Sequence, residues 1–304
     1  MDFLENIKRL ILPPMERQIP VVLDTDTYNE VDDQFALAYA LLSGARLCVE
    51  AIYAAPFYND RSNGAKDGME KSYQEIERLL GLGFAKWAGP VLRGAEQFLT
   101  DEETPSISEA ARDLAQRALQ YTPQCPLYVV AIGAITNVAS AILLCPEIAE
   151  RIAVIWLGGQ PHNWENAREF NLSQDIAAVR VVMESGAAFV QIPCQTVASQ
   201  LVTTVPELEY YLRGKNRLCD YLVDIVASYA NEPYGWSKVI WDISAVAYLI
   251  EPDWVPTQIV HMPLLSYDHR WGLSQERRFM RVAKEVRRDR IFADLFSKLS
   301  GCRE

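Results

Sequence analysis

Short β-branched apolar runs, each followed by a stretch with helical spacing, recur along the whole chain, and this alternation restricts the fold more than any other feature. Val21-Val22-Leu23 ends in Asp24 and leads into a predicted helix over 31–42, with Asn29 as N-cap and two aspartates in the first turn. A strand is expected over 47–54, after which Met69, Tyr73, Ile76 and Leu80 fall at helical spacing. A strand over 127–131 precedes a helix over 134–144, and a strand over 152–157 ends in Gly158-Gly159. A helix over 175–185 then leads to a strand over 188–192. Beyond Pro206 the pattern is mostly helical, with strands expected over 257–262 and 278–282 and a closing helix over 289–299. Such alternation implies βαβ units in a single α/β domain, with a mostly parallel central sheet flanked by helices. No linker or repeat divides the chain, so one domain is expected over 1–304, with 1–18 as an N-terminal extension. Ligands of such sheets bind beyond the carboxyl ends of the strands. The residues just after each strand are therefore the candidates for function.

Hydrophobic residues make up 50% of the 304 and charged ones 23%, enough to bury a large core. The formal net charge of -11 repels phosphate backbones and argues against a nucleic-acid partner. Residues 1–12 read as a short amphipathic helix ended by Pro13-Pro14, without the apolar core of a signal peptide. The longest apolar stretch, 127–145, is broken by Thr136, Asn137 and Ser140, so no membrane span is expected and a cytoplasmic location is. Six cysteines (Cys48, Cys125, Cys145, Cys194, Cys219, Cys302) lack metal-ligand spacing and read as buried free thiols.

Directly after the first strand comes Asp24-Thr25-Asp26-Thr27-Tyr28-Asn29-Glu30-Val31-Asp32-Asp33. Carboxylates crowded this closely raise each other's pKa, and a hard, oxygen-seeking cation such as Ca²⁺ or Mg²⁺ relieves the repulsion. A solvated acidic helix cap accounts for Asp32 and Asp33 but not for Asp24 and Asp26. An EF-hand loop counted from Asp24 places Asn29 at its glycine and Phe35 at its closing glutamate. The aspartate-nucleophile pattern of haloacid-dehalogenase-type phosphatases fits Asp24 and Asp26, but Tyr28 stands where it needs threonine, and Asp32-Asp33 stay unused.

The segment resembles the DxDxxxDD signature of the inosine-uridine nucleoside hydrolase family, with two extra residues between Asp26 and Asp32 and without the usual Pro-Gly. Three later stretches are similar to that family in the same order. Ile132-Gly133-Ala134-Ile135-Thr136-Asn137 resembles its G-P-L-T-N turn. Leu157-Gly158-Gly159 with Asn163, Glu169-Phe170-Asn171 and Asp175 resembles its M-G-G … N … E-F-N … D stretch. Asp242, in Trp241-Asp242-Ile243-Ser244-Ala245-Val246-Ala247-Tyr248-Leu249, resembles its late D-P-x-A-V-A-Y-L segment. Together they span about 21–249, and 282–292 looks like the family's closing strand and helix.

The resemblance implies that Asp26, Asp33, Asp242 and the backbone carbonyl of Ile132 hold a Ca²⁺ ion, which also binds the ribose hydroxyls and a water. It implies Asp26 as the base for that water, Asp32, Asn163, Glu169 and Asn171 as ribose ligands, and Asp24 as support. The implied reaction is hydrolysis of a ribonucleoside to ribose and free base, with a homodimer or homotetramer as the assembly. These residue types suit the chemistry: glycosidic cleavage develops positive charge on the sugar ring, which carboxylates stabilise. The base half departs from the family. Trp241 stands where many members carry His before the late aspartate, and resembles a purine-specific branch in which tryptophan stacks on the base. Trp164, Trp236, Tyr234 and Phe57 are candidates for a second stacking residue, Asn59 for the family's Gly-Asn after the second strand, and His162 for an acid. His261 and His269 read as structural or surface residues. Two other readings stay open: a metal-dependent ribose or nucleoside binder without turnover, and the aspartate-nucleophile phosphatase.

Overall fold

The computed structural model describes residue 10, residues 12–230, residue 232 and residues 234–301. The amphipathic helix expected over 1–12 and Cys302 lie almost wholly outside these. The strands are β1 Ile19–Thr25, β2 Leu47–Ala54, β3 Val91–Arg93, β4 Leu127–Ala131, β5 Ile152–Leu157, β6 Ala188–Ile192, β7 Val202–Thr203, β8 Lys238–Val239, β9 Thr257–His261, β10 Leu264–Leu265, β11 Trp271–Gly272 and β12 Phe279–Ala283. The α-helices are α1 Asp33–Leu42, α2 Ala65–Gly83, α3 Glu109–Ala118, α4 Thr136–Leu144, α5 Phe170–Gln174, α6 Ile176–Glu184, α7 Val205–Leu212, α8 Arg217–Tyr229, α9 Ile243–Ile250 and α10 Arg288–Ser300.

Eight strands form one sheet in the order β3-β2-β1-β4-β5-β6-β12-β9, parallel throughout except for β9, which runs antiparallel to β12 at the edge. Strands β4, β5 and β6 are buried along their full length, as continuous apolar runs require when helices cover both faces. Strand alternation divides the core: Val21, Leu23 and Val130 face the helices α1, α2 and α7 to α10. Val22, Val129 and Val154 face α3, α4 and α6. The single α/β domain with a mostly parallel sheet expected from the sequence is present. Because the parallel strands share one direction, their carboxyl ends gather the loops after β1, β4, β5 and β6 along one edge.

Several expectations need correction. Helix α1 begins at Asp33, and Asp32, not Asn29, is its N-cap residue. The intervening residues turn back instead, with Asn29 N donating to Asp26 O at 2.7 Å, and the Asn29 side chain bonds Asn59. Of the five described cysteines, all free thiols, only Cys194 and Cys219 are buried, while Cys48 and Cys125 are exposed. The sequence reading missed α5, β3 and the two-residue strands, which are too short to show a period, and also α3, whose buried face is one leucine among alanines. Among the described residues no helix is long and apolar enough to cross a membrane.

Candidate active site

Strand β1 delivers Asp24 and the following turn delivers Asp26, both fully buried. Asp24 is fastened to β4 and α4: Ile132 N donates to its carbonyl at 2.9 Å, and Asn137 Nδ2 donates to Oδ1 at 2.8 Å. Asn137 also accepts Ala95 N at 2.8 Å through its own Oδ1, so this motif asparagine ties the end of β1 and the loop after β3 to α4. Its neighbour Thr136 donates to Asp175 Oδ2 at 2.7 Å, and Asp175 caps α6 through Ala178 N. Thr136, Asn137 and Asp175 therefore build the frame of the site. Gly133 is required by packing, since a Cβ there would stand 2.9 Å from both Cγ and Oδ1 of Asp26.

Asp32, Asp33 and Asp242 each bring a carboxylate oxygen within 4.8 Å of the others, and all three are buried. Asp242 arrives at the start of α9. Asp33 Oδ1 accepts Thr25 Oγ1 at 2.5 Å, and Asp32 Oδ2 accepts Trp241 N at 3.1 Å. Asp26 lies beside this trio with neither oxygen bonded, and Asp24 Oδ2 is equally orphaned. Burial, then the charges of Asp33 and Asp32, hold Asp26 well above the usual carboxylate range. Burial pushes Asp24 up to about 7. Burial and the Asp32 charge push Asp33 up to about 8, and burial with Asp32, Asp33 and Asp26 raises Asp242 well above its ordinary value. Orphaned buried carboxylate oxygens are costly, and an all-oxygen donor set suits a hard divalent cation. The residues present thus fit such an ion, with Asp32 completing the close trio and Asp26 adjacent.

A cavity of about 240 Å³ opens over the trio. Asp32, Asp33, Asp242 and Ile132 line it, as do Glu169 and Asn171 from α5 and its cap. Glu169 accepts backbone N–H bonds from Gly159 (2.8 Å), Asn171 (2.9 Å) and Leu172 (3.1 Å), while burial raises its pKa. Asn171 Nδ2 donates to the carbonyls of Ile132 at 3.2 Å and Leu157 at 3.0 Å. Two aromatic side chains, Trp241 and Phe170, complete the wall. None of Trp164, Trp236, Tyr234 and Phe57 lines this cavity; Tyr234 is fully exposed and Phe57 fully buried. Phe170 sits inside the E-F-N motif, whose spacing marks the site but does not show which face each residue turns.

Asn163 is exposed and lines a neighbouring cavity of about 690 Å³ together with His162. His162 Nε2 lies 2.7 Å from Gln191 Oε1, and the Gln191 amide donates to Gly158 O, so this imidazole nitrogen carries the proton. Burial lowers its pKa, and Trp271 meets it edge-on at 5.1 Å between ring centres. Trp271 belongs to the β10–β11 hairpin and donates to Gln160 O at 3.1 Å, bracing the loop after β5. His261 bonds Arg277 O at 2.8 Å, and His269 holds a left-handed turn, so both are structural. Asn59 lies outside the cavity and braces the Asn29 turn. Lys238, on β8, was missed: its buried Nζ lies 2.5 Å from Glu30 and 3.7 Å from Asp32. The sequence signal was a lone lysine three residues before Trp241, which has no periodic or motif signature.

The pyrimidine-specific ribonucleoside hydrolase RihA of Citrobacter koseri is 26% identical over 259 residues, covering 77% of this chain and 80% of its own. The RihA of Salmonella arizonae is 30% identical over 192 residues, covering 55% of this chain and 58% of its own length. Among solved structures, a purine-preferring ribonucleoside hydrolase from Gardnerella vaginalis superposes with a TM-score of 0.76 at 21% identity, covering 93% of this chain and 98% of that one. A sequence model described as inosine-uridine preferring nucleoside hydrolase matches residues 21–293, and the chain belongs to that family.

Proposed function

We propose that the protein hydrolyses the N-glycosidic bond of a ribonucleoside, with a preference for purines, in a Ca²⁺-dependent reaction. The observation that carries this reading is the pair of orphaned, buried Asp26 oxygens beside the Asp32-Asp33-Asp242 trio, under a cavity walled by Trp241 and Phe170. Asp26, Asp33, Asp242 and the Ile132 carbonyl would hold the ion, which when bound supplies Lewis-acid polarisation of the water and ribose hydroxyls. Asp26 takes the proton of the attacking water. The water oxygen bonds to the anomeric carbon as the bond to the base nitrogen breaks, and that nitrogen keeps the electron pair and takes a proton from solvent. Asp32, Glu169 and Asn171 orient the ribose, whereas Asn163 faces the neighbouring cavity; Asp24 supports the floor, and the carboxylates offset the positive charge growing on the ring. Trp241 and Phe170 clasp the base, which favours the larger purine surface. Cytoplasmic location and a homodimer or homotetramer accompany this reading.

One observation favours a second reading. Among the described residues no histidine lines the aspartate cavity, which is what a binder without turnover would show. Reducing-sugar release from inosine, adenosine, guanosine, uridine and cytidine, with Ca²⁺, with chelator and for Asp26→Ala, separates the two. Calcium-dependent release abolished by Asp26→Ala is the expected result. Ribose binding without release from any nucleoside would sink the hydrolase reading.

A further inference from the structure

The extra residues between Asp26 and Asp32 find their partner across the fold. They turn back on themselves and are braced by Arg61, whose Nη1 donates to Glu30 O at 3.0 Å. This places the Glu30 carboxylate 2.5 Å from Lys238 Nζ. Lys238 is only 6% exposed, and its ammonium also donates to Val239 O at 2.9 Å and lies 5.7 Å from the centre of the Tyr229 ring. Among the described residues the second carboxylate within 4 Å of it is Asp32, with Oδ1 at 3.7 Å, and Asp32 is itself one of the three clustered carboxylates. A desolvated ammonium survives at such a position only because anions surround it. Lys238 does not line the cavity, so it does not meet a ligand there. Asp32 lies within the carboxylate cluster where a divalent cation fits, and a fixed positive charge beside that cluster weakens its hold on a second one.

We propose that Lys238 is a fixed counter-ion of the aspartate cluster, positioned by Glu30, which lowers the affinity of the cluster for its divalent cation. The inference rests on the cation-site reading above and not on the substrate. Glu30 is the positioning residue: by holding the ammonium on its own side, it limits how fully Lys238 neutralises Asp32. The site then loads only above a cation threshold that this ion pair sets.

The test is isothermal titration of Ca²⁺ into the metal-stripped full chain, without nucleoside. Lys238→Met should tighten binding by roughly tenfold or more, since it deletes a like charge from a low-dielectric site. Lys238→Arg, which keeps the charge, should stay within about threefold of the parent. Glu30→Gln should weaken binding several-fold, because the ammonium is left to Asp32 alone. A purely structural lysine predicts the opposite sign for Lys238→Met. Unchanged or weaker binding by a Lys238→Met protein with native circular dichroism overturns the proposal. If that variant does not fold, Glu30→Gln decides, and unchanged binding there overturns it. No Ca²⁺ binding by the parent chain also overturns it. Ribonucleoside cleavage, assayed on the same samples at saturating Ca²⁺, tests the substrate reading separately from these affinities.

Discussion

The buried carboxylates make the stability of the cation-free protein fall as pH rises through the weakly acidic range. Asp24 moves from 3.8 to about 7 on folding and Asp33 to about 8. Between the unfolded and folded values the native state holds more protons than the unfolded chain, so unfolding becomes easier with rising pH and levels off above the folded pKa. Each pKa unit corresponds to about 1.4 kcal/mol, so from about pH 5 to about pH 7 each group removes roughly 2 kcal/mol, and the two together about 4–5 kcal/mol. At roughly 2 °C per kcal/mol for a chain of this size, Tm should drop by about 10 °C. Glu70, held below its usual range chiefly by its hydrogen bond to Arg93, titrates beneath this window and does not mask the trend. A divalent cation binds the ionised form, so its stabilising effect should be larger at about pH 7 than at about pH 5. The assay is thermal unfolding of the parent and Asp24→Asn proteins at both pH values, with chelator and with excess Ca²⁺. Asp24→Asn keeps a side-chain oxygen for Asn137 and should remove its own share of the slope, leaving that of Asp33 and the other raised carboxylates. A chelated parent that is equally or more stable at the higher pH would refute the reasoning, as would a calcium gain independent of pH.

Other perturbations have definite outcomes. Gly133→Ala sets a Cβ 2.9 Å from Asp26 and should cost about 1–3 kcal/mol of stability in urea titrations, with a larger proportional loss of activity than of folded protein. Asn137→Ala strands Asp24 Oδ1 and Ala95 N, and calorimetry should show a loss of roughly 2–4 kcal/mol. Trp241→Ala and Phe170→Ala should each raise KM for purine nucleosides by up to about tenfold, more than for pyrimidine ones, in steady-state assays. Equal changes for both base classes would remove the stacking role.

How much of this was legible beforehand follows from the range of the interactions. Parallel strands buried on both faces announce themselves as β-branched runs, so 47–54, 127–131, 152–157 and 188–192 coincide with the strands observed. Helix ends were less legible: Asn29 has the chemistry of an N-cap, but the turn to Asp26 removes it from the helix and leaves Asp32 in that position. The aspartates were visible because five acids crowd one strand-to-helix turn. Phe170 and Lys238 were not, because what makes each functional is orientation toward groups distant in sequence. The roles of Thr136, Asn137 and Asp175 likewise emerge only in three dimensions, where the motif proves to be scaffold.

The bond between Asp32 and Trp241 N spans 209 positions and the Lys238–Glu30 pair 208, which has a consequence for synthesis. The acidic turn leaves the ribosome long before its counter-ion and its last carboxylate. At ~5–20 residues per second the interval is roughly 10–40 s. During it the nascent chain carries the turn without Lys238 or Asp242, and the closing contacts belong among the last to form. Truncated or stalled products that end before the eighth strand therefore contain most of the sheet and none of the finished site.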